Sequence, residues 1–216
     1  VESQNQPLHS AVETFTRGYD QMLFLMMRGN LMVTPQPNLK TDRLLLRPFT
    51  LADAPLVQRF MEDGAIAHTA RSIPYPYEDG MAEQWIATHA PDYEAGVAVV
   101  YAIALQNHTL IGAVGLTLSP ADACAELGYW VGQPYWGQGY ATEATQRLIQ
   151  FGFESLMLNR IYATCLARNS ASARVLQKSG MTYEGCLKQH VCHRGKLEDL
   201  EQYALLKQNY DIRSLV

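Results

Sequence analysis

"GQPYWGQGYAT", residues 132–142, decides how this chain is read. Gly137 and Gly139 stand two apart. The apolar run "CAELGYWV" precedes them, and Ala141, Ala144, Leu148 and Phe151 follow at helical spacing. A strand, a glycine turn and a helix in succession suit an anion, because the first N–H groups of a helix lack partners and its dipole favours negative charge. Three phosphate-binding forms compete with an ordinary strand-to-helix turn. A P-loop needs Lys and Ser or Thr after its second glycine, where Gln138 and Gly139 stand, so nothing reaches the outer phosphates of a nucleoside triphosphate. A dinucleotide turn needs a third glycine, where Thr142 stands, and a preceding βαβ unit that the pattern lacks. The third form is a pyrophosphate held by the backbone of Gly137, Gln138, Gly139, Tyr140 and Ala141, with the glycines supplying unusual dihedrals.

Outward from the turn, the order of elements implies a layered α+β fold. "TDRLLLRPFT" opens with a buried strand over Leu44–Leu46, and Thr50 with Asp53 forms a capping box ahead of Leu56, Val57 and Phe60. A helix is expected from Glu78 to about His89 after the breaker "IPYPY". "VAVVYAIAL" and "LIGAVGLTL" form a hairpin over "QNHT". After the glycine turn come a helix, the strand "RIYATCLA", a helix over Ser170–Ser179 stopped by Gly180, and strands near Met181–Cys186 and Leu200–Leu206. Antiparallel strands followed by a β-α-β unit give a mixed sheet with helices on its faces. Residues 1–39 end in the Pro-rich "TPQPN" and read as an extension with a short helix over Tyr19–Arg28, packed on the domain or mediating a dimer. Residues 40–216 read as the domain.

Composition bounds the function. Of 216 residues, 48% are hydrophobic and 18% charged, which provides for a sizeable core. The net charge of −4 argues against general nucleic-acid binding. Met22–Met27 is far too short to span a bilayer, and no signal peptide is evident, so a cytoplasmic protein is expected. Cys124, Cys165, Cys186 and Cys192 form no C-x-x-C pair and read as reduced thiols. Cys186, His190, Cys192 and His193 match no standard zinc spacing, so no metal is expected.

A second constellation, "NSASARVLQKSGM" at 169–181, sets Asn169 and Ser172 three apart at a helix start, where each could simply cap. Together with "GYWVGQPYWGQGYATEA" and the opening "TDRLLLRPFTLADA", it resembles the acyl-CoA-binding core of the GNAT superfamily of N-acetyltransferases over about Lys40 to Gln208. The most similar branch is the Rim-type group, which acetylates N-termini of ribosomal proteins. The resemblance implies a mostly antiparallel sheet with a splayed strand pair forming the acyl-CoA cleft. It implies acetyl-CoA as donor and direct transfer to an amine, foremost a protein N-terminal α-amine. A small-molecule amine as acceptor, or a non-catalytic acyl-CoA-binding module, remains an alternative. It assigns the pyrophosphate to Gly137, Gln138, Gly139, Tyr140, Ala141 and Thr142. It gives the pantetheine arm to Tyr129, Trp130 and Val131, with an oxyanion-stabilising N–H near Val131, and to Asn169. Trp136 stands where the superfamily often has Gln or Arg, and is expected under the turn or along the groove. Leu176 stands where many of the superfamily have a tyrosine acid, and the resemblance to the Rim-type group implies that Ser172, one turn earlier, serves the leaving thiolate. Glu126 is the first candidate base, with a water relay, His190 or His193 as alternatives, and Glu143 reads as structural. Tyr75, Tyr77 and Trp85 are expected to flank the acceptor by fold analogy or to pack in the core.

Overall fold

The computed structural model describes residues 35–214, and the expected helix over Tyr19–Arg28 lies outside them. An eight-stranded sheet runs in the order β1-β2-β3-β4-β5-β6-β8-β7. Its strands are β1 (Leu39–Lys40), β2 (Leu44–Arg47), β3 (Ala98–Leu105), β4 (Leu110–Ser119), β5 (Cys124–Val131), β6 (Arg160–Leu166), β7 (Thr182–His193) and β8 (Lys196–Leu206). Every neighbouring pair is antiparallel except β5 and β6. The expected α+β layout is present.

Strand alternation divides the core between two faces. Ala102, Ala113 and Trp130 point to α1 (Ala54–Glu62), α2 (Ala65–Thr69) and α3 (Met81–Glu94), meeting Val57, Met61, Ile66 and Ile86. Tyr101, one residue from Ala102, packs its ring on Phe151 of α4 (Tyr140–Glu154) on the opposite face. Gly152 of α4 lies so close to Ile161 and Leu116 that a Cβ there would come 2.8 Å from the Ile161 side chain. The other helices are α5 (Ser170–Lys178) and α6 (Lys207–Ser214).

Local chemistry sets the entry to α1. Thr50 and Asp53 form the capping box, and Arg47 grips both Asp53 oxygens at 2.7 and 2.8 Å. Six elements differ from the sequence reading. β1, α2 and α6 are short pieces whose hydrophobic periodicity is too brief to register. α3 starts later than expected, after Gly80 at φ 84°, and runs through Pro91 to Glu94. β7 and β8 run beyond the expected strands to a turn at Arg194–Gly195, and "KQHVCHRGK", a stretch that could form an exposed hairpin by sequence, is the closing end of that hairpin.

Candidate functional site

The parallel pairing of β5 with β6 stops early. It includes Cys124, Ala125 and Glu126 opposite Arg160, Ile161 and Tyr162, whereas β4 pairs β5 all the way to Val131. Gly132 N–H donates to Ile111 O on the β4 side, so alternation turns the N–H groups of Tyr129 and Val131 toward the open side. The two strands splay into a cleft of about 650 Å³. It is bounded by β5, the ends of β6, α5, the first turn of α4, and the stretch from Ile66 to Ser72.

At one end of the cleft lies the glycine turn. Gly137 and Gly139 adopt φ 74° and 82°, the left-handed region that favours glycine. Gly139 caps α4, whose first backbone bond is Glu143 N–H to Gly139 O, 3.1 Å. The N–H groups of Tyr140, Ala141 and Thr142 therefore have no acceptor within the helix. Gly137, Gly139, Tyr140, Ala141 and Thr142 all line the cleft. Gln138 does not: its amide donates to Pro134 O, and its carbonyl accepts from Arg43. Trp136 is half exposed along the cleft, and its indole N–H donates to Val131 O, satisfying one carbonyl of the unpaired strand edge.

Arg43 braces this turn, and the sequence reading did not single it out. Its guanidinium pairs with Glu143 at 2.6 Å, donates to Gln138 O at 3.0 Å and covers the Tyr140 ring at 4.6 Å. Glu143 also accepts from the Thr41 hydroxyl at 2.7 Å and the Arg43 N–H at 2.9 Å. Burial would raise its carboxyl pKa, but these bonds hold it below the ordinary carboxylate range. Arg43 thus locks the helix start to β2 while leaving the N–H groups free.

Midway along β5, the Tyr129 hydroxyl lies 2.7 Å from Ser172 Oγ. Burial pushes the Tyr129 pKa upward, so the phenol stays protonated. Beside them, burial pushes the Cys165 thiol up to about 11, which keeps it neutral. Ser172 reaches this spot because Asn169 caps α5: its Oδ1 accepts from Ser172 N–H at 3.0 Å, and its Nδ2 donates to Thr69 O at 3.2 Å. Both polar ends of the Asn169 side chain are engaged. Leu176 is buried one turn later, where it offers no proton.

Glu126 sits at the point where β5 and β6 part. Its Oε1 accepts from Thr164 at 3.2 Å and from Arg71 at 3.3 Å. Neither partner was singled out in the sequence, since neither lies in a recognisable motif. The histidine alternatives are placed otherwise. His193 is buried, with its ring nitrogens against Ala67 O and Arg168, and His190 is exposed on β7. Among the described residues no group of three or more His, Cys, Asp or Glu side chains is arranged to hold a metal ion, and Cys186, His190, Cys192 and His193 are not brought together. Of the three expected acceptor aromatics, Trp85 packs in the core against Phe49, His89 and Trp130, and Tyr77 packs against the same cluster. Tyr75 is exposed under Arg194. Trp130 also faces this core, so its side chain is turned from the open strand edge. No helix among the described residues is long and apolar enough to cross a membrane.

Comparison with known proteins agrees with this geometry. A profile of the acetyltransferase (GNAT) domain matches residues 43–182. An uncharacterized N-acetyltransferase, p20, of Bacillus licheniformis is 30% identical over 173 residues, 80% of this chain and 97% of its own length. The ribosomal-protein-serine acetyltransferase of Escherichia coli is 32% identical over 113 residues, 52% of this chain and 63% of its own. The crystal structure of a GNAT-family acetyltransferase from Bacillus anthracis superposes with TM-score 0.70 at 26% identity, covering 80% of this chain and 99% of that one.

Proposed function

The chain belongs to the GNAT family of acetyl-CoA-dependent N-acetyltransferases, and on that premise we propose that its acceptor is the α-amine of a protein N-terminus, acetylated directly within the β5–β6 cleft. Residues 40–216 are the acetyltransferase domain in this reading, and the reaction belongs to the cytoplasm. The observation that carries it is the cleft itself, with unpaired helix N–H groups at one end and Glu126 at the other, open along one edge of β5. Similarity to a ribosomal-protein acetyltransferase supports the acceptor class.

A pyrophosphate on the first turn of α4 requires anion-binding donors, and Gly137, Tyr140, Ala141 and Thr142 supply them. The pantetheine arm then runs back along the open edge of β5, exchanging amide hydrogen bonds with the backbone. An extended arm that starts beyond Val131 would bring its thioester level with Tyr129 and Ser172, two residues nearer the paired end of the strand. Tyr129 N–H therefore suits the developing oxyanion better than Val131 N–H. The amine attacks the thioester carbonyl, the C–S bond breaks, and Ser172 Oγ–H supports the departing thiolate. Glu126 takes the amine's proton directly or through water. An α-amine, with pKa about 8, is already partly neutral at pH 7, so the base has less to do than for a lysine side chain near 10.4.

The test is an acetyl-transfer panel with acetyl-CoA, comparing peptides with free N-terminal Ser or Ala, polyamines, free amino acids and an aminoglycoside. Peptide α-amines are expected to have the highest kcat/KM. Acetylation confined to small amines overturns the acceptor assignment, and binding of acetyl-CoA without transfer to any amine overturns the enzyme reading. Glu126→Gln is expected to lower kcat/KM by about a hundredfold with acetyl-CoA affinity unchanged; an unchanged rate assigns the proton to water alone.

A further inference from the structure

The Arg71–Glu126 pair stands at the mouth of the cleft in a way the transfer chemistry alone does not require. Arg71 follows α2 on a stretch fixed from two sides. Arg168 donates to His68 O at 2.9 Å, Asn169 donates to Thr69 O at 3.2 Å, and His193 Nε2 lies 3.2 Å from Ala67 O. The guanidinium is thus placed by α5 and the β7–β8 hairpin rather than by its own loop. It is 43% exposed, and among the described residues its one partner is Glu126 Oε1, at 3.3 Å. Glu126 Oε1 is shared with Thr164, and among the described residues Oε2 accepts no hydrogen bond. Most of the guanidinium fork is therefore open as well. Over the same segment a second cation, Arg194 of the β7–β8 turn, lies 4.6 Å above the Tyr75 ring and 3.1 Å from His68 Nδ1.

Arg71 and Glu126 have opposite signs, lie 3.3 Å apart, and are each half used. An incoming ammonium is drawn to Glu126, but it then competes with Arg71 for the carboxylate and leaves a cation uncompensated. A carboxylate carried by the same acceptor, a few ångströms from its amine, removes that conflict by accepting the free fork of Arg71. Resting on the transferase reading above, we propose that Arg71 selects acceptors that carry a carboxylate beside the reacting amine. For a protein N-terminus this is an acidic side chain in the first residues of the chain, with Arg194 placed for a further acidic residue. For a free amino acid it is the α-carboxylate. Polyamines, which bring only positive charge, are excluded by the same argument.

The experiment compares kcat/KM for three hexapeptides alike except at the second residue, Ser-Asp, Ser-Asn and Ser-Lys, and for serine against serine amide. In the native protein the Asp peptide is expected to exceed the Asn peptide by about tenfold, with the Lys peptide lowest. Arg71→Gln is expected to abolish the difference between Asp and Asn. Arg71→Glu is expected to invert the order so that the Lys peptide leads, a gain that misfolding cannot produce. Equal use of the three peptides by the native protein, or an acidic preference that survives Arg71→Glu, overturns the proposal. Transfer to serine but to no peptide, still dependent on Arg71, rejects the N-terminal acceptor and retains the charge selection. Failure to acetylate any of these amines overturns both.

Discussion

Removing the Ser172 hydroxyl tests the least familiar part of the site. Ser172 Oγ lies 2.7 Å from the Tyr129 hydroxyl, and burial keeps that phenol protonated. If Tyr129 donates to Ser172 Oγ, the serine hydrogen is released toward the cleft and meets the thiolate as the C–S bond breaks. A hydrogen bond to a charged group is worth about 1.5–3 kcal/mol, so Ser172→Ala is expected to lower kcat by about ten- to a hundredfold. Tyr129→Phe removes a neutral bond of about 1 kcal/mol and is expected to cost about fivefold. The two costs should not add. If Tyr129 acts by orienting the serine, the double variant should be no slower than Ser172→Ala alone. Single-turnover rates at saturating acetyl-CoA isolate the chemical step, and calorimetric titration with CoA checks that affinity is unchanged in all three variants. Two results refute the reasoning: a Ser172→Ala rate within twofold of the native protein, or an undiminished Tyr129→Phe penalty in the Ser172→Ala background.

Two further perturbations address the phosphate turn and the core beneath the acceptor wall. Gly137→Ala adds a Cβ that meets no atom within 4 Å but forces a left-handed φ of 74° on alanine, so about 1–2 kcal/mol of stability should be lost. Gly137 lines the end of the cleft proposed to take the donor's phosphates, so the acetyl-CoA Kd should rise by about tenfold or more beyond any unfolding, and an unchanged Kd would remove the turn from donor binding. His89 is 6% exposed, neither ring nitrogen has a hydrogen-bond partner among the described residues, and burial pushes its pKa down to about 4 from 6.5. The folded state therefore holds it neutral, its contribution is complete above pH 6.5, and stability falls as pH drops toward 4. The two pKa values imply a loss of about 2 kcal/mol between pH 7 and pH 5. Urea unfolding should show that increment in the native protein and its absence in His89→Leu, and equal pH slopes would mean the ring is protonated in the fold.

The glycine turn and the strand before it were legible because their signal is local. A turn that needs φ near +80° at two positions must be written with glycine, and a cleft-lining strand must be written in alternating apolar residues. Asn169 and Ser172 were legible for the same reason: a helix start exposes side chains in a fixed relation. Their roles were less visible. Asn169 was read as a contact for the donor's arm and does line the cleft, but the sequence did not show that its amide also joins the cap of α5 to Thr69 O, one hundred residues away. Tyr129 was read through its backbone, and the approach of its hydroxyl to Ser172 depends on how far α5 lies from β5, which no periodicity encodes.

What the sequence hid most completely is the acceptor end, and the reason lies in how it is built. Donor recognition rests on backbone groups whose placement follows from secondary structure, so a short contiguous motif is enough to announce it. The proposed acceptor end draws on Glu126 of β5, Thr164 of β6 and Arg71 after α2, three single residues from three parts of the chain. Each alone is an ordinary polar residue, and only tertiary contacts through Arg168, Asn169 and His193 bring the α2 segment to the splay point. The α2 helix itself is five residues long, below the length at which hydrophobic spacing carries information. A fold that fixes its donor site by backbone and its acceptor site by scattered side chains keeps the reaction constant while the acceptor changes with single substitutions. Arg71 is where that freedom is concentrated in this chain: it touches the candidate base, and it stands on a segment held from outside rather than by its own sequence.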